Sequence, residues 1–98
     1  MNFSDHHVFR SHHFSIGREE TSGTWFLSFP VSNQRVDYEE HYRISEVLYQ
    51  QIAADPVTGL TFLEECRKRQ HDELLFLKPG TDRGVPILPP PSSSSVAE

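Results

Sequence analysis

Ninety-eight residues hold one hydrophobic core and exclude a two-domain enzyme. Nine Lys plus Arg against fourteen Asp plus Glu give a net charge of −5, which repels a phosphate backbone and argues against general nucleic-acid binding. Only 36% of the residues are apolar, but seven Phe, three Tyr and one Trp bring much buried area per residue, enough for a small ring-rich core.

The first residues, Met1-Asn2-Phe3-Ser4-Asp5-His6-His7, lack the basic start and apolar stretch of a secretory signal, and no window nears the roughly 20 apolar residues of a membrane span. With Cys66 as the only cysteine, a chain of the reducing cytoplasm, free of membrane, is the expectation.

Val8 to Ile16 mixes Phe9, Phe14 and Ile16 with polar residues and reads as a first strand ending at Gly17. From Thr24 to Val31 the odd positions Trp25, Leu27, Phe29 and Val31 are all apolar, the period of a half-buried second strand. Val36 to Ile44 repeats the alternation on even positions, interrupted by Glu40, and is the third strand. A two-residue turn at Asn33-Gln34 pairs Val31 with Val36, Phe29 with Tyr38, Leu27 with Glu40 and Trp25 with Tyr42, so that the apolar faces coincide. Gln is a poorer second turn residue than Gly, so a longer loop stays open.

Ser45 is a helix N-cap, with Ile44 and Tyr49 at staple positions, and the helix should run to about Ala54. Asp55-Pro56 caps a second helix with the apolar face Val57, Leu60, Leu63 and Cys66 and the ion pairs Glu64–Lys68 and Glu65–Arg69. Arg67-Lys68-Arg69 then complements the carbonyl end of its dipole. Leu74 to Leu77, closed by Pro79-Gly80, reads as a buried last strand, and Lys78 to Gly84 as a turn pair rather than a phosphate loop. Beyond Gly84 a Pro- and Ser-rich tail should be extended and then disordered; Pro86 to Pro89 fits PxxP, although a solvated tail explains the same composition. The expected architecture is a single α+β domain over 1–84 in the order β-β-β-α-α-β, a four-stranded mostly antiparallel sheet with two helices on one face, and a tail over 85–98.

No catalytic signature or cofactor motif accompanies this layout. Cys66 sits at helical spacing from Leu63 and reads as a core residue. His6, His7, His12 and His13 invite a metal, but neighbours on a strand face opposite ways and like-parity His6 and His12 stand about 20 Å apart, so no metal site is expected without a bend near Arg10-Ser11. Asp37 and Glu39 share the solvated face with Ser28 and His41, and Phe26 is an aromatic anomaly there. Phe26, Asp37, Glu39 and His41 therefore form the candidate partner-binding surface, an anchor ring in an acidic rim, unless the first strand, the tail or a second copy covers Phe26. Glu40 falls on the buried face and must either reach solvent or pair with a cation such as Arg10 or Lys78.

The chain resembles small bacterial immunity proteins of polymorphic or contact-dependent toxin systems. The resemblance rests on Val36-Asp37-Tyr38-Glu39-Glu40-His41-Tyr42-Arg43-Ile44-Ser45, Asp55-Pro56, Glu64-Glu65-Cys66-Arg67 and Lys78-Pro79-Gly80, together with size, acidity and strand–helix layout. It implies a protein partner, a toxin domain whose basic active cleft an acidic surface occludes, and transfers no functional residue. The alternative is a small regulatory or housekeeping protein that forms a homodimer through the Phe26 face.

Overall fold

The computed structural model describes residues 1–89; the serine run of the expected tail lies outside the described residues. The chain is α+β: β1 (Phe3–Phe9), β2 (Phe14–Glu19), β3 (Thr24–Ser32) and β4 (Asp37–Ile44) precede α1 (Glu46–Ala54) and α2 (Leu60–Arg67), and a two-residue β5 (Val85–Pro86) follows. All pairings are antiparallel, in the spatial order β1-β2-β3-β4, with β5 also on β3. The observed order is thus ββββααβ. Among the described residues no helix is long and apolar enough to cross a membrane.

The first expected strand is two strands. Arg10–His12 form a 3-10 turn closed by His13 in the left-handed region (φ 56°), so the chain reverses where no Gly or Pro announces it. Gly17, expected to end a strand, instead lies inside β2 between Asp5 and Phe26. A Cβ there would run into the Ser4 carbonyl and stand 2.9 Å from the Phe26 ring. Its missing side chain lets β1 fold steeply across the sheet.

The β3–β4 hairpin keeps the expected faces but not the expected pairs. Trp25 lies opposite Ile44, Leu27 opposite Tyr42, Phe29 opposite Glu40 and Val31 opposite Tyr38, two residues from the tight-turn register. A slip of two preserves side-chain parity, which is why the faces survive. The longer loop is held by Asn33, whose Oδ1 accepts from the amides of Arg35 and Val36 at 3.0 Å, with Gln34 taking the positive φ.

The inner face of β2 to β4 carries Ile16, Leu27, Phe29, Val31 and Tyr42 against Ile52 of α1 and Leu63 and Cys66 of α2. Ser45 caps α1 by accepting from Leu48 N at 3.0 Å. Asp55 Oδ1 accepts from Val57 N, but the turn it opens, Pro56–Gly59, is 3-10, and Val57 points to solvent; α2 begins only at Leu60. The α2 ion pairs also differ from expectation: Glu64 meets Arg67, Glu65 meets His71, and Arg69 sits past the helix end at φ 63° with its guanidinium on the Gly84 carbonyl.

Leu74 to Leu77 is not a strand. Asp72–Leu74 form a 3-10 turn, Leu75 makes one bridge to Tyr42, and Leu77 is exposed. The last strand is Val85–Pro86, inside the expected tail. It occupies the edge of β3 at Val31 and Ser32, beyond Ser28, where β2 stops. Pro30 lies at the changeover between the two neighbours: its carbonyl accepts from Ile87 N, and its missing N–H ends the short β3–β5 ladder there.

Candidate functional site

The outer face of the sheet is concave because β1 leans over it. Phe3 pairs with Glu19 on β2, yet its ring stacks on His41 of β4 at 3.7 Å and meets Phe26 edge-on at 5.3 Å and Phe76 at 5.2 Å. Phe26 is consequently 0% exposed. The expectation of an accessible aromatic anchor is corrected here: the first strand covers the ring, and Phe26 offers nothing to a partner or to a second copy. Its role is to seat Phe3.

The charged members remain outside. Asp37 and Glu39 are both exposed, and Glu39 Oε1 accepts from the hydroxyl of Ser28, which is itself fully buried, at 2.8 Å. That bond fixes one carboxylate oxygen and leaves Oε2 without a hydrogen bond among the described residues. Asp5 joins this face opposite Gly17; burial, then the neighbouring Glu39, raise its carboxyl above the usual value, with His41 and His6 opposing. His41 is half-buried under Phe3, and burial pulls its pKa down to about 4 against the smaller opposing pull of Asp5. The imidazole is neutral at pH 7, so it does not cancel the carboxylates around it.

Two hollows open on this face, one on either side of Glu39. The first, about 180 Å³, lies between the outer edge of β4 and the departing segment Leu75–Lys78, with Phe3, Tyr38, His41 and Phe76 on its walls. The second, about 330 Å³, is walled by Val8, Arg10, Ser15 and Pro30 and ends at His13. Glu39 lines both.

Glu40 behaves differently from its neighbour. It is 8% exposed and pairs with neither Arg10 nor Lys78 but with Arg83, whose Nε and Nη2 donate to its two oxygens at 2.8 and 2.9 Å. The same guanidinium holds Asp72 at 2.8 and 3.0 Å, and Tyr42 Oη donates to Glu40 at 2.9 Å. This network ties β4 to the segment that returns as β5, with Glu40 buried and Asp72 at the surface end.

The histidines are dispersed by the reversal at Arg10–His12. A bulge at His6 puts both His6 and His7 beside Tyr49, with His6 Nδ1 2.7 Å from Tyr49 Oη, so adjacent histidines here do not face opposite ways. His13 reaches the Ile87 carbonyl. No group of three or more His, Cys, Asp or Glu side chains stands in metal-binding reach among the described residues. Cys66 is fully buried, and burial, with the carboxylates of Glu65 and Asp72 next, pushes its thiol pKa far up, an environment that disfavours the nucleophilic thiolate.

Compared with known proteins, the chain matches no family model, no curated protein and no solved structure. Its function is read from this geometry alone. Sequence reasoning did not single out Phe3 or Asp5, because nothing in Arg10-Ser11-His12-His13 signals the turn that brings β1 back across the sheet.

Proposed function

We propose that the chain is a non-catalytic protein-binding module of the cytoplasm, an immunity protein that neutralises a cognate toxin domain by laying its acidic concave face over a basic active cleft. The observation that carries this reading is that Asp5, Asp37 and Glu39 share one face of the sheet with His41, opposite the face that packs on the helices. In a protein of net charge −5 such a face steers a cationic partner to rapid encounter, and the two hollows beside Glu39 give it shape for slow release.

Asp37 and Glu39 are both exposed, but Glu39→Lys also removes the acceptor of the buried Ser28 hydroxyl, so the folded state of the double variant is checked by thermal melting before binding is compared. The test is a partner purified from the native host and titrated with the wild-type chain and with the Asp37→Lys/Glu39→Lys double variant. The reading expects about a hundredfold or greater loss of affinity, a slower association rate and a weaker salt dependence in the variant. In cells carrying the toxin, the wild-type chain should restore growth and the folded double variant should not. Unchanged affinity removes the acidic face from the account.

A further inference from the structure

We infer that the concave face recognises an extended partner segment with the pattern apolar-x-basic-x-apolar, its central Lys or Arg bound by Glu39 and its two apolar side chains seated in the flanking hollows. The inference rests on the protein-binding reading above and adds the chemistry of the partner.

Three features point to it. Among the described residues only Glu39 lines both hollows, so a ligand spanning them crosses its carboxylate. One oxygen of that carboxylate is committed to Ser28, which holds the group in place, while Oε2 makes no hydrogen bond among the described residues. A cationic side chain is its natural complement, and a charge-assisted bond there completes the acceptor set. The walls on either side are mixed but mostly apolar: Phe3, Phe76 and Leu77 with Lys78 bound the smaller hollow, and Val8, Phe9 and Pro30 with Arg10 the larger.

Geometry selects the extended form. The smaller hollow lies just outside β4, and the larger lies over β2 and β3 against β1, so the line joining them crosses two to three strand spacings, roughly 10–14 Å. In an extended chain residues i, i+2 and i+4 point to one side and span about 13 Å, which brings the middle one over Glu39. A second copy of this chain is a poor occupant, because pairing the Asp37 and Glu39 edge with itself opposes like charges.

The test uses the full chain and two blocked heptapeptides, Ser-Leu-Ser-Arg-Ser-Leu-Ser and the same peptide with Glu at its centre, in a titration followed by backbone amide shifts. The Arg peptide should bind, move amides near both hollows (Leu77 on one side, Val8 and Ser15 on the other), and weaken by about fivefold to tenfold in Glu39→Gln. The Glu peptide should bind at least tenfold more weakly. Val8→Asp and Leu77→Asp, both at exposed positions, should each remove the shifts at one hollow only. Equal binding of the two peptides, or shifts confined to the helices, overturns the inference. If the native partner is nonetheless lost on Asp37→Lys/Glu39→Lys, the wider protein-binding reading stands and only this recognition pattern fails.

Discussion

The ring of His13 donates to the carbonyl of Ile87 at 3.3 Å, and Pro30 explains why that carbonyl is available. Ile87 N donates to Pro30 O at 3.0 Å, and in an antiparallel ladder the same pair would exchange a second bond from the amide of residue 30. Proline has no amide to give. The imidazole, held in position by the left-handed backbone of His13, supplies the missing donor through Nδ1–H and fastens the last described residues to the β1–β2 turn. His13→Ala should therefore loosen β5 first, raising hydrogen exchange at the Ile87 amide and costing roughly 1 kcal/mol of stability. Unchanged exchange there would show that the imidazole is not the anchor.

The Glu40–Arg83–Asp72 network should matter more. Arg83→Met leaves a carboxylate that is 8% exposed without its cation, and denaturant unfolding should show a loss of roughly 3–5 kcal/mol. The double variant Glu40→Met/Arg83→Met removes both charges together and should recover a substantial part of that loss. Equal instability of the single and double variants would mean that the buried charge is not the cause.

Glu19 organises the β2–β3 turn as an acceptor. Its carboxylate receives the amides of Asn2, Thr21 and Ser22 and the Ser22 hydroxyl, at 2.7 to 3.0 Å, and the first of these bonds contributes most to holding its pKa well below the usual 4.5. A folded pKa depressed in this way gives stability that is present above 4.5 and is lost as pH falls toward the folded value. Glu19→Gln should melt lower than wild type at pH 7, because its amide nitrogen faces backbone donors. The difference should shrink as the pH is lowered below 4.5. A gap that stays constant with pH would contradict this assignment.

His41 acts over a higher window. Its folded pKa of about 4 lies below the ordinary 6.5, so between those values the unfolded chain binds the extra proton and acid favours unfolding. Stability should be fully present above pH 6.5 and decline as pH falls toward 4. His41→Gln removes that decline, and thermal melts across the window check it. The same substitution keeps a neutral side chain between the carboxylates.

Much of this fold is legible from alternation, and the failures have common physical causes. Trp25, Leu27, Phe29 and Val31 mark one face of β3 without ambiguity, and Ser45 and Asp55 accept the amides expected of caps, because these signals are local. The β3–β4 register is not local: it depends on a four-residue loop that Asn33 stabilises by side-chain acceptance, and the alternation cannot distinguish registers two residues apart. The Arg10–His12 reversal lacks turn residues altogether, so β1 as a separate strand and its ring Phe3 were not legible, although the first strand was among the expected covers of Phe26. Leu74 to Leu77 has strand composition, but it meets the edge of β4 only in the isolated Leu75–Tyr42 bridge and the bond from Phe76 N to His41 O, while two residues of a Pro-rich segment fill the vacant length of β3. Of the candidate surface, Asp37 and Glu39 were readable from parity; Asp5 and the paired hollows required the curvature that Gly17 permits.

Amide protection of the full chain in complex with its native partner tests the acidic concave face most directly. Slowed exchange concentrated in β4 from Asp37 to His41 and at the start of β1, with α1 and α2 unchanged, is the expected result. Protection confined to the two helices, with Asp37 to His41 exchanging as in the free chain, would contradict the account.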